Sequence, residues 1–382
     1  MAEYLTNTTD LTKVASAIRE KGGTSDSLIY PDGFVTAIQA IQTGTELQII
    51  VTVTSGATVT ATKGSLSVSG TSVNGTCTLT VPEAGTWSVN ATLNGQTSNT
   101  KSVSFVDSYA LAFAFASSTL NDNEWSVIKT VSDAGDGANY WSVGDRKAVT
   151  LNGTVGKLSL SNVTTYAFII GFNHNASVEG ANRIHFQLAK TALSGGTDIA
   201  FCDSSYDSAV SATGYFSMNS STTNSGGWAS SQMRTNICGT SLSNYSGTII
   251  AVIPAALRAV LKSVTKYTDN TGGGSASPSY VPATATATTD YFFLLSEFEV
   301  FGSASHANSN EGSKQAQYAY YSAGNSKIKY KHNGTSNVAN WWLRSPFVRS
   351  SYNFVNVSSN WGGGVGDNNA HFSLGFAPGF CV

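Results

Sequence analysis

Apolar positions recur at two spacings along the chain, and the change between them divides it. In residues 1–44, Leu11, Val14, Ala15 and Ile18 stand at i, i+3, i+4 and i+7, after the capping pair Thr9-Asp10 and before Gly22-Gly23. That spacing places four apolar side chains on one face of a short helix. Phe34, Ala37, Ile38 and Ile41 repeat it after the turn residues Pro31-Asp32-Gly33. Helices this short do not hold alone in water. Their stripes meet either another chain or each other, in a hairpin packed on its own chain.

Between residues 46 and 108 the period becomes two. Leu47–Val53, Cys77–Val81 and Thr86–Thr92 are short alternating runs separated by Ser-Gly, Asn-Gly and Pro-Glu-Ala-Gly turns. Short strands at such regular intervals predict a small all-β sandwich, with Trp87 as its core anchor and no chemistry of its own.

A third region, 109–382, mixes both periods. Glu124–Ala134 reads as a helix with Trp125, Ile128 and Val131 on one side. Ala148–Leu151 reads as a strand ending in the hairpin pair Asn152-Gly153, and Tyr166–Phe172 as a buried strand. Pro254 opens a predicted helix with Leu257, Val260, Leu261 and Val264 inward, Pro being suited to a first helical position. Thr271–Ser279 is a Gly/Ser loop, and Tyr291–Leu295 a buried strand running into Ser296–Val300. The last stretch, from Asn340, has apolar ends, Trp341–Pro346 and Gly375–Val382. Its middle shows neither period and so reads as loop. That middle is built from Tyr, Ser, Asn, Gly and Arg, the alphabet of binding loops.

Composition narrows the classes. The net charge is −2 with no basic stripe, so nucleic-acid binding has no electrostatic support. No run of 18 apolar residues predicts a membrane span. The start, Met1–Asn7, lacks the basic and apolar segments of a secretory signal. From Phe347 to the end there is no Lys, Glu, Gln or Met, although the rest of the chain holds 14 Lys, 9 Glu, 8 Gln and 3 Met.

The run Trp341-Trp342-Leu343-Arg344-Ser345-Pro346, then Asn353-Phe354, Val357 and the ending Ala377–Val382, resembles the variable proteins of diversity-generating retroelements. The resemblance is specific at both ends of this stretch and weaker back to about Tyr109. It implies a C-type-lectin-like fold of the formylglycine-generating-enzyme type, in which an error-prone reverse transcriptase rewrites template adenines. An Asn codon randomised in its first two bases cannot yield Lys, Glu, Gln, Met or Trp, so Trp361 would be scaffold. Residues 46–108 resemble the immunoglobulin-like spacers of phage tail proteins. Residues 1–44 resemble N-terminal attachment modules of phages of Gram-positive hosts.

The expected fold is therefore multidomain. It comprises a short N-terminal helical segment (1–44), an immunoglobulin-like β-sandwich (46–108) and an α+β C-type-lectin-like domain (109–382) with a variable region at 341–382. The expected function is that of a phage tail receptor-binding protein, located at the tail tip of the virion and made in the host cytoplasm without a signal peptide. Its partners would be a host surface receptor (protein or glycan) and, through 1–44, other tail proteins. A homotrimer is expected because tail tips sit on threefold axes and the N-terminal stripes lack partners. The variable face would comprise Phe347, Val348, Arg349, Ser350, Ser351, Tyr352, Asp367, Asn368, Asn369, His371, Phe372 and Leu374. Several exposed aromatics in one loop are costly in water unless a partner covers them. Trp341, Trp342, Arg344 and Trp361 would be its scaffold. Adjacent tryptophans point opposite ways on a strand, one into the core and one under the face. Arg344 would form a buried ion pair or bond main-chain carbonyls.

Other classes fare worse. His174, Glu179 and His185 form the best catalytic constellation but lack the spacing that sets two imidazoles on one helical face, so their ordinary role is structural. There is no Gly-x-Ser-x-Gly elbow and no phosphate loop. Formylglycine-generating enzymes use paired cysteines, whereas Cys77, Cys202, Cys238 and Cys381 are scattered. Buried free thiols are their ordinary state, with a Cys202–Cys238 disulfide as the alternative. Calcium-binding lectins carry Glu-Pro-Asn or Gln-Pro-Asp loops, absent here, and the tail from Phe347 offers one carboxylate, Asp367. No metal, cofactor or catalytic residue is therefore expected. The competing readings are a tail-associated glycan hydrolase, which needs paired carboxylates in a cleft, and an invariant structural tail decoration protein.

Overall fold

A computed structural model describes residues 8–22, 27–29, 32–40, 47–105, 109–112, 115–202 and 215–382. The chain forms two compact units that divide between residues 113 and 114. It is multidomain and β-rich, with small sheets and few helices.

In the first unit, helices Thr8–Gly22 and Asp32–Ala40 pack on each other. Ala15, Ile18 and Phe34 are buried between them, with Leu11, Leu28 and Ala37 alongside. Val14 stays about half exposed, so the first predicted stripe is only partly covered; Val35, which lies outside the second stripe, is half exposed as well. The side chain of Ile38 and all of Ile41 lie outside the described residues.

The strands of this unit are β1 Gln48–Thr52, β2 Thr58–Lys63, β3 Leu66–Thr71, β4 Thr76–Thr80, β5 Gly85–Leu93, β6 Gln96–Thr97, β7 Lys101–Phe105 and β8 Tyr109–Ala112. One sheet runs β4-β1-β8; the other runs β3-β2-β5, with β6 and β7 both on β5. Ile49, Val51, Val59, Ala61, Cys77, Leu79, Trp87, Val89 and Ala91 are buried at alternate positions, as the period of two requires. A Cβ at Gly70 of the second sheet would come within 3.1 Å of Cys77 and Leu79 of the first, so the sheets are in contact there. Tyr109 does not open the third region: β8 pairs in parallel with β1 and belongs here.

Early in the second unit, after a short turn at Leu120–Asp122, the helix Trp125–Asp133 buries Trp125, Ile128 and Val131. Its strands are β9 Arg146–Val155, β10 Leu158–Phe172, β11 Ile184–Lys190, β12 Ile199–Ala200, β13 Val264–Thr268, β14 Thr286–Asp290, β15 Phe292–Phe293, β16 Lys329–Lys331, β17 Gly334–Ala339, β18 Trp341–Pro346, β19 Asn353–Ser358, β20 Gly364–Asn369 and β21 Gly379–Cys381. The central sheet has the order β15-β21-β11-β10-β9, which sets the C-terminal strand inside it. Phe380 on β21 stacks on Phe186 of β11, and Trp125 meets both edge-on. Small sheets β12-β16-β17, β13-β14 and β18-β19-β20 complete the unit.

Four local expectations change. Asn152-Gly153 lies within β9, opposite a register shift in β10, and the chain turns at Gly156-Lys157 instead. Pro254 precedes a single turn, Ala255–Arg258, because Val264 is taken by β13; Leu257, Val260 and Leu261 are buried as expected. In the run 291–295 only Phe292 and Phe293 pair. Ser296 then starts the helix Glu297–Phe301 with a reciprocal capping box to Glu299. The middle of the last stretch is not loop: β19 and β20 form a sheet with β18.

Trp342 is fully buried in β18, and its Nε1 donates to Phe216 O at 2.9 Å. Trp342→Ala therefore leaves a cavity and removes one of the two hydrogen bonds that Phe216 O accepts, the other being from Leu374 N–H, and denaturant titration is expected to show a loss of about 3–5 kcal/mol.

Candidate functional site

The loop between β18 and β19 emerges beside the end of β20. Phe347 N–H donates to Asn353 O (3.0 Å), closing the loop, and Ala370 N–H donates to Tyr352 O (2.8 Å), joining it to the segment after β20. Residues 347–352 and 367–372 thus meet at one end of the β18-β19-β20 sheet. Arg349, Ser351 and Tyr352 are exposed, Tyr352 by 48%. Phe347, Val348, Asp367, Asn368, Asn369, His371 and Phe372 are half-buried.

The half-buried members are tied down. Phe347 packs against the His306 ring at 5.0 Å, and His306 Nε2 lies 3.5 Å from Asp367 Oδ1. Asn353 Nδ2 also donates to Asp367. His371 Nδ1 is 2.7 Å from Asn369 Oδ1 and 3.1 Å from Thr222 Oγ1. Phe372 packs on the core.

Three expected site residues stand elsewhere. Leu374 is fully buried, with its N–H on Phe216 O. Ser350 is buried at 9%, its carbonyl turned inward to Asn224. Trp361 is no support for the face: it is 64% exposed on the turn between β19 and β20, at the opposite end of the strands. Nor do the two tryptophans divide between core and face, since both are fully buried and Trp341 Nε1 donates to Lys327 O.

Below β18 lies a closed charged cluster. Arg344 donates to Glu299 through Nη1 (2.5 Å) and Nη2 (3.0 Å), to Leu294 O through Nη1 and to Thr268 Oγ1 through Nε. Arg344 thus makes both kinds of contact expected of it. Lys266 Nζ donates to Glu179 Oε2 (2.7 Å), Glu299 Oε1 (2.9 Å) and Tyr318 OH (2.8 Å). His185 Nδ1 lies 3.1 Å from Tyr318 OH and 3.2 Å from Cys381 Sγ, and His174 stacks on the Tyr318 ring. His174 and His185 belong to this buried cluster, and all four cysteines are free thiols, with no Cys202–Cys238 bond.

Burial raises Glu179 to about 7, against the pull of Lys266. Burial also raises Glu311, whose carboxylate accepts from Asp269 N–H and Ser345 Oγ, to about 7. Glu299 goes the other way: burial would raise it, but Arg344 and Lys266 outweigh that and hold it well down. His174 falls to about 3 and His185 falls well below its ordinary value, in both cases through burial and then the Lys266 charge.

Ligand atoms of His174, Glu179 and Glu299 lie within 4.8 Å of one another, a spacing a metal could use. The Lys266 ammonium already bridges both carboxylates, and Arg344 occupies both oxygens of Glu299. Two cations fill the role an ion would have, so the residues do not fit a metal. Sequence spacing could not reveal Lys266, Glu299, His306 or Asn224 as part of these arrangements. The one local signal was Ser296-x-x-Glu299, the capping-box pattern that places Glu299.

Residues 208–382, which hold the loop and most of the cluster, are similar to a family described as "Domain of unknown function (DUF6273)". No curated protein matches the chain.

The cluster predicts an acid limb of stability. Glu179 and Glu311 bind a proton near 7 when folded and near 4.5 when exposed, so both favour the folded state as pH falls from 7 to 4.5. The histidines act oppositely, because below 6.5 the unfolded chain takes up protons that the folded chain refuses. The two pairs oppose each other down to pH 4.5. Below that Glu179 and Glu311 add no further slope, while His174 continues to destabilise down to about 3 and Glu299, held down by Arg344 and Lys266, adds to the loss because the unfolded chain protonates it first. Urea midpoints are expected to fall between pH 4.5 and 3, and His174→Asn is expected to flatten that limb by up to about 1.4 kcal/mol per pH unit.

Proposed function

We propose that the chain is a phage tail receptor-binding protein that contacts a host surface ligand through the end of the β18-β19-β20 sheet. On this reading the sandwich is an immunoglobulin-like spacer, the second unit a C-type-lectin-like tip open to retroelement diversification, and the N-terminal helices the attachment and trimer-forming segment. The observation that carries it is the joint exposure of Arg349, Ser351 and Tyr352 on a loop whose flanking strand, β18, is wholly buried. Rigid aromatic area and an Arg beside small polar residues suit recognition at low entropic cost. The placement of β21 inside the sheet that begins with β9 supports a lectin-like closure of the second unit. Half-exposed Val14 and Val35 support a further partner for the helices.

The glycan-hydrolase alternative gains nothing here. Glu179, Glu297, Glu299 and Glu311 are buried, and Glu297 is occupied by the N–H groups of Ser305, His306 and Ala307.

Arg349→Asn/Tyr352→Asn is expected to leave the melting temperature nearly unchanged, since exposed positions contribute within about 0.5 kcal/mol each. The same double variant is expected to lose adsorption of labelled protein to cells across a panel of Gram-positive bacteria, because an anchoring Tyr or Arg contributes about 2 kcal/mol or more. A folded double variant that adsorbs like the parent puts the contact elsewhere on the chain.

A further inference from the structure

Asn224 is fully buried and lies more than a hundred residues before the exposed loop, yet its N–H donors are turned to that loop's main chain. Its N–H donates to Ser351 O at 2.9 Å. Its Nδ2 donates to Ser350 O at 2.7 Å and to Asn353 O at 2.8 Å, with Phe347 O at 3.4 Å as a third, longer contact. Its Oδ1 accepts from Gly273 N–H at 2.8 Å. A side-chain amide has two N–H donors and one carbonyl, so a single residue joins several carbonyls of the loop to the Gly/Ser segment below.

Two further contacts run main chain to main chain. Val348 O accepts from Ser275 N–H at 3.1 Å, and Val348 N–H donates to His306 O at 2.9 Å. Gly272 has φ +61°, and a Cβ there would stand 2.0 Å from Asn224 O; a Cβ at Gly274 would stand 2.4 Å from Val348 O. Only glycine permits so close an approach of backbone to backbone. The exposed side chains take no part. Arg349, Ser351 and Tyr352 make no side-chain hydrogen bond among the described residues.

We infer that Asn224 is the positioning residue of the 347–353 loop, and that it sets the loop's course whatever side chains stand at 349, 351 and 352. The inference rests on the recognition reading only for its purpose: a contact surface that can change residues without refolding needs a support that grips main chain alone. The latch itself is tested without a receptor.

The test is hydrogen exchange, read by mass spectrometry on the full chain, comparing peptides over 347–353 with peptides over β10 and β11. Asn224→Asp replaces the donating nitrogen by an oxygen facing three carbonyls. It is expected to speed exchange in 347–353 by about tenfold while leaving β10 and β11 as in the parent. Asn224→Ser, too short to span the carbonyls, is expected to give the same local change and serves if the Asp variant does not fold. Arg349→Ala/Ser351→Ala/Tyr352→Ala is expected to stay within about twofold of the parent across the loop. Unchanged exchange in the Asn224 variants, or a tenfold rise in the triple variant, overturns the inference. Adsorption is read separately. A parent chain that adsorbs to no cell removes the recognition reading and leaves the latch standing, whereas intact adsorption with an unaccelerated Asn224→Asp loop removes the latch.

Discussion

Arg344 carries a full charge into a place no water reaches, and the second unit is arranged around that fact. Even after relaxation, burying an ion costs several kcal/mol, and a second buried cation, Lys266, adds to it. The two-pronged bond to Glu299 and the three acceptors around Lys266 offset this only when every contributor is in place. Those contributors come from separate elements: Arg344 from β18, Lys266 from β13, Glu299 from the helix Glu297–Phe301 and Glu179 from the helical turn Ala176–Glu179. Leaving one out strands a charge, at about 3–5 kcal/mol. The cluster therefore penalises partly assembled arrangements and fixes where β18 ends.

The chain beyond Pro346 inherits that position. β18 is buried along its whole length, so it cannot slide without carrying Trp341, Trp342 and Arg344 out of their bonds. The loop after it starts from a fixed point and is held again by main-chain contacts to Asn224, Ser275 and His306. Stability and surface chemistry are thereby separated. Changes in the frame cost several kcal/mol, whereas changes at Arg349, Ser351 or Tyr352 cost about a tenth of that. That separation is what makes the end of this sheet suited to carrying different side chains on one backbone.

How much of this the sequence declares depends on how local each arrangement is. The sandwich alternates because one face of its strands meets water, and β1, β4 and β5 were legible on that account. The helix Trp125–Asp133 was legible for the same reason at a different period. β18 is buried on both faces and so has no alternation to read. β20 is glycine-rich, with half-buried residues at most positions, and looked like loop. Asn152-Gly153 looked like a turn, but its partner strand absorbs it in a register shift, which a single strand's residues do not show. The charged cluster joins Glu179, Lys266, Glu299 and Arg344 across 165 positions of chain, with no short spacing to betray it. Asn224 was hidden more completely, because its partners are carbonyl groups that every residue type carries.

The same distinction bounds the exposed face. The missing Lys, Glu, Gln and Met mark the whole tail from Phe347, including Phe376, Phe380 and Cys381, which are fully buried. Composition therefore cannot say where a partner could touch. Geometry can: the Ala370-to-Tyr352 bond gathers the exposed loop and the end of β20 at one end of the sheet, while Trp361 stands at the other. β19 separates them by its six residues, roughly 17–20 Å. A partner centred on Tyr352 lies closer to His306, through Phe347, and to Thr222, through His371, than to Trp361. A contact area of about 800 Å² on this side would then draw on residues well outside the last 36, so recognition on this reading belongs to the folded unit and not to its tail alone.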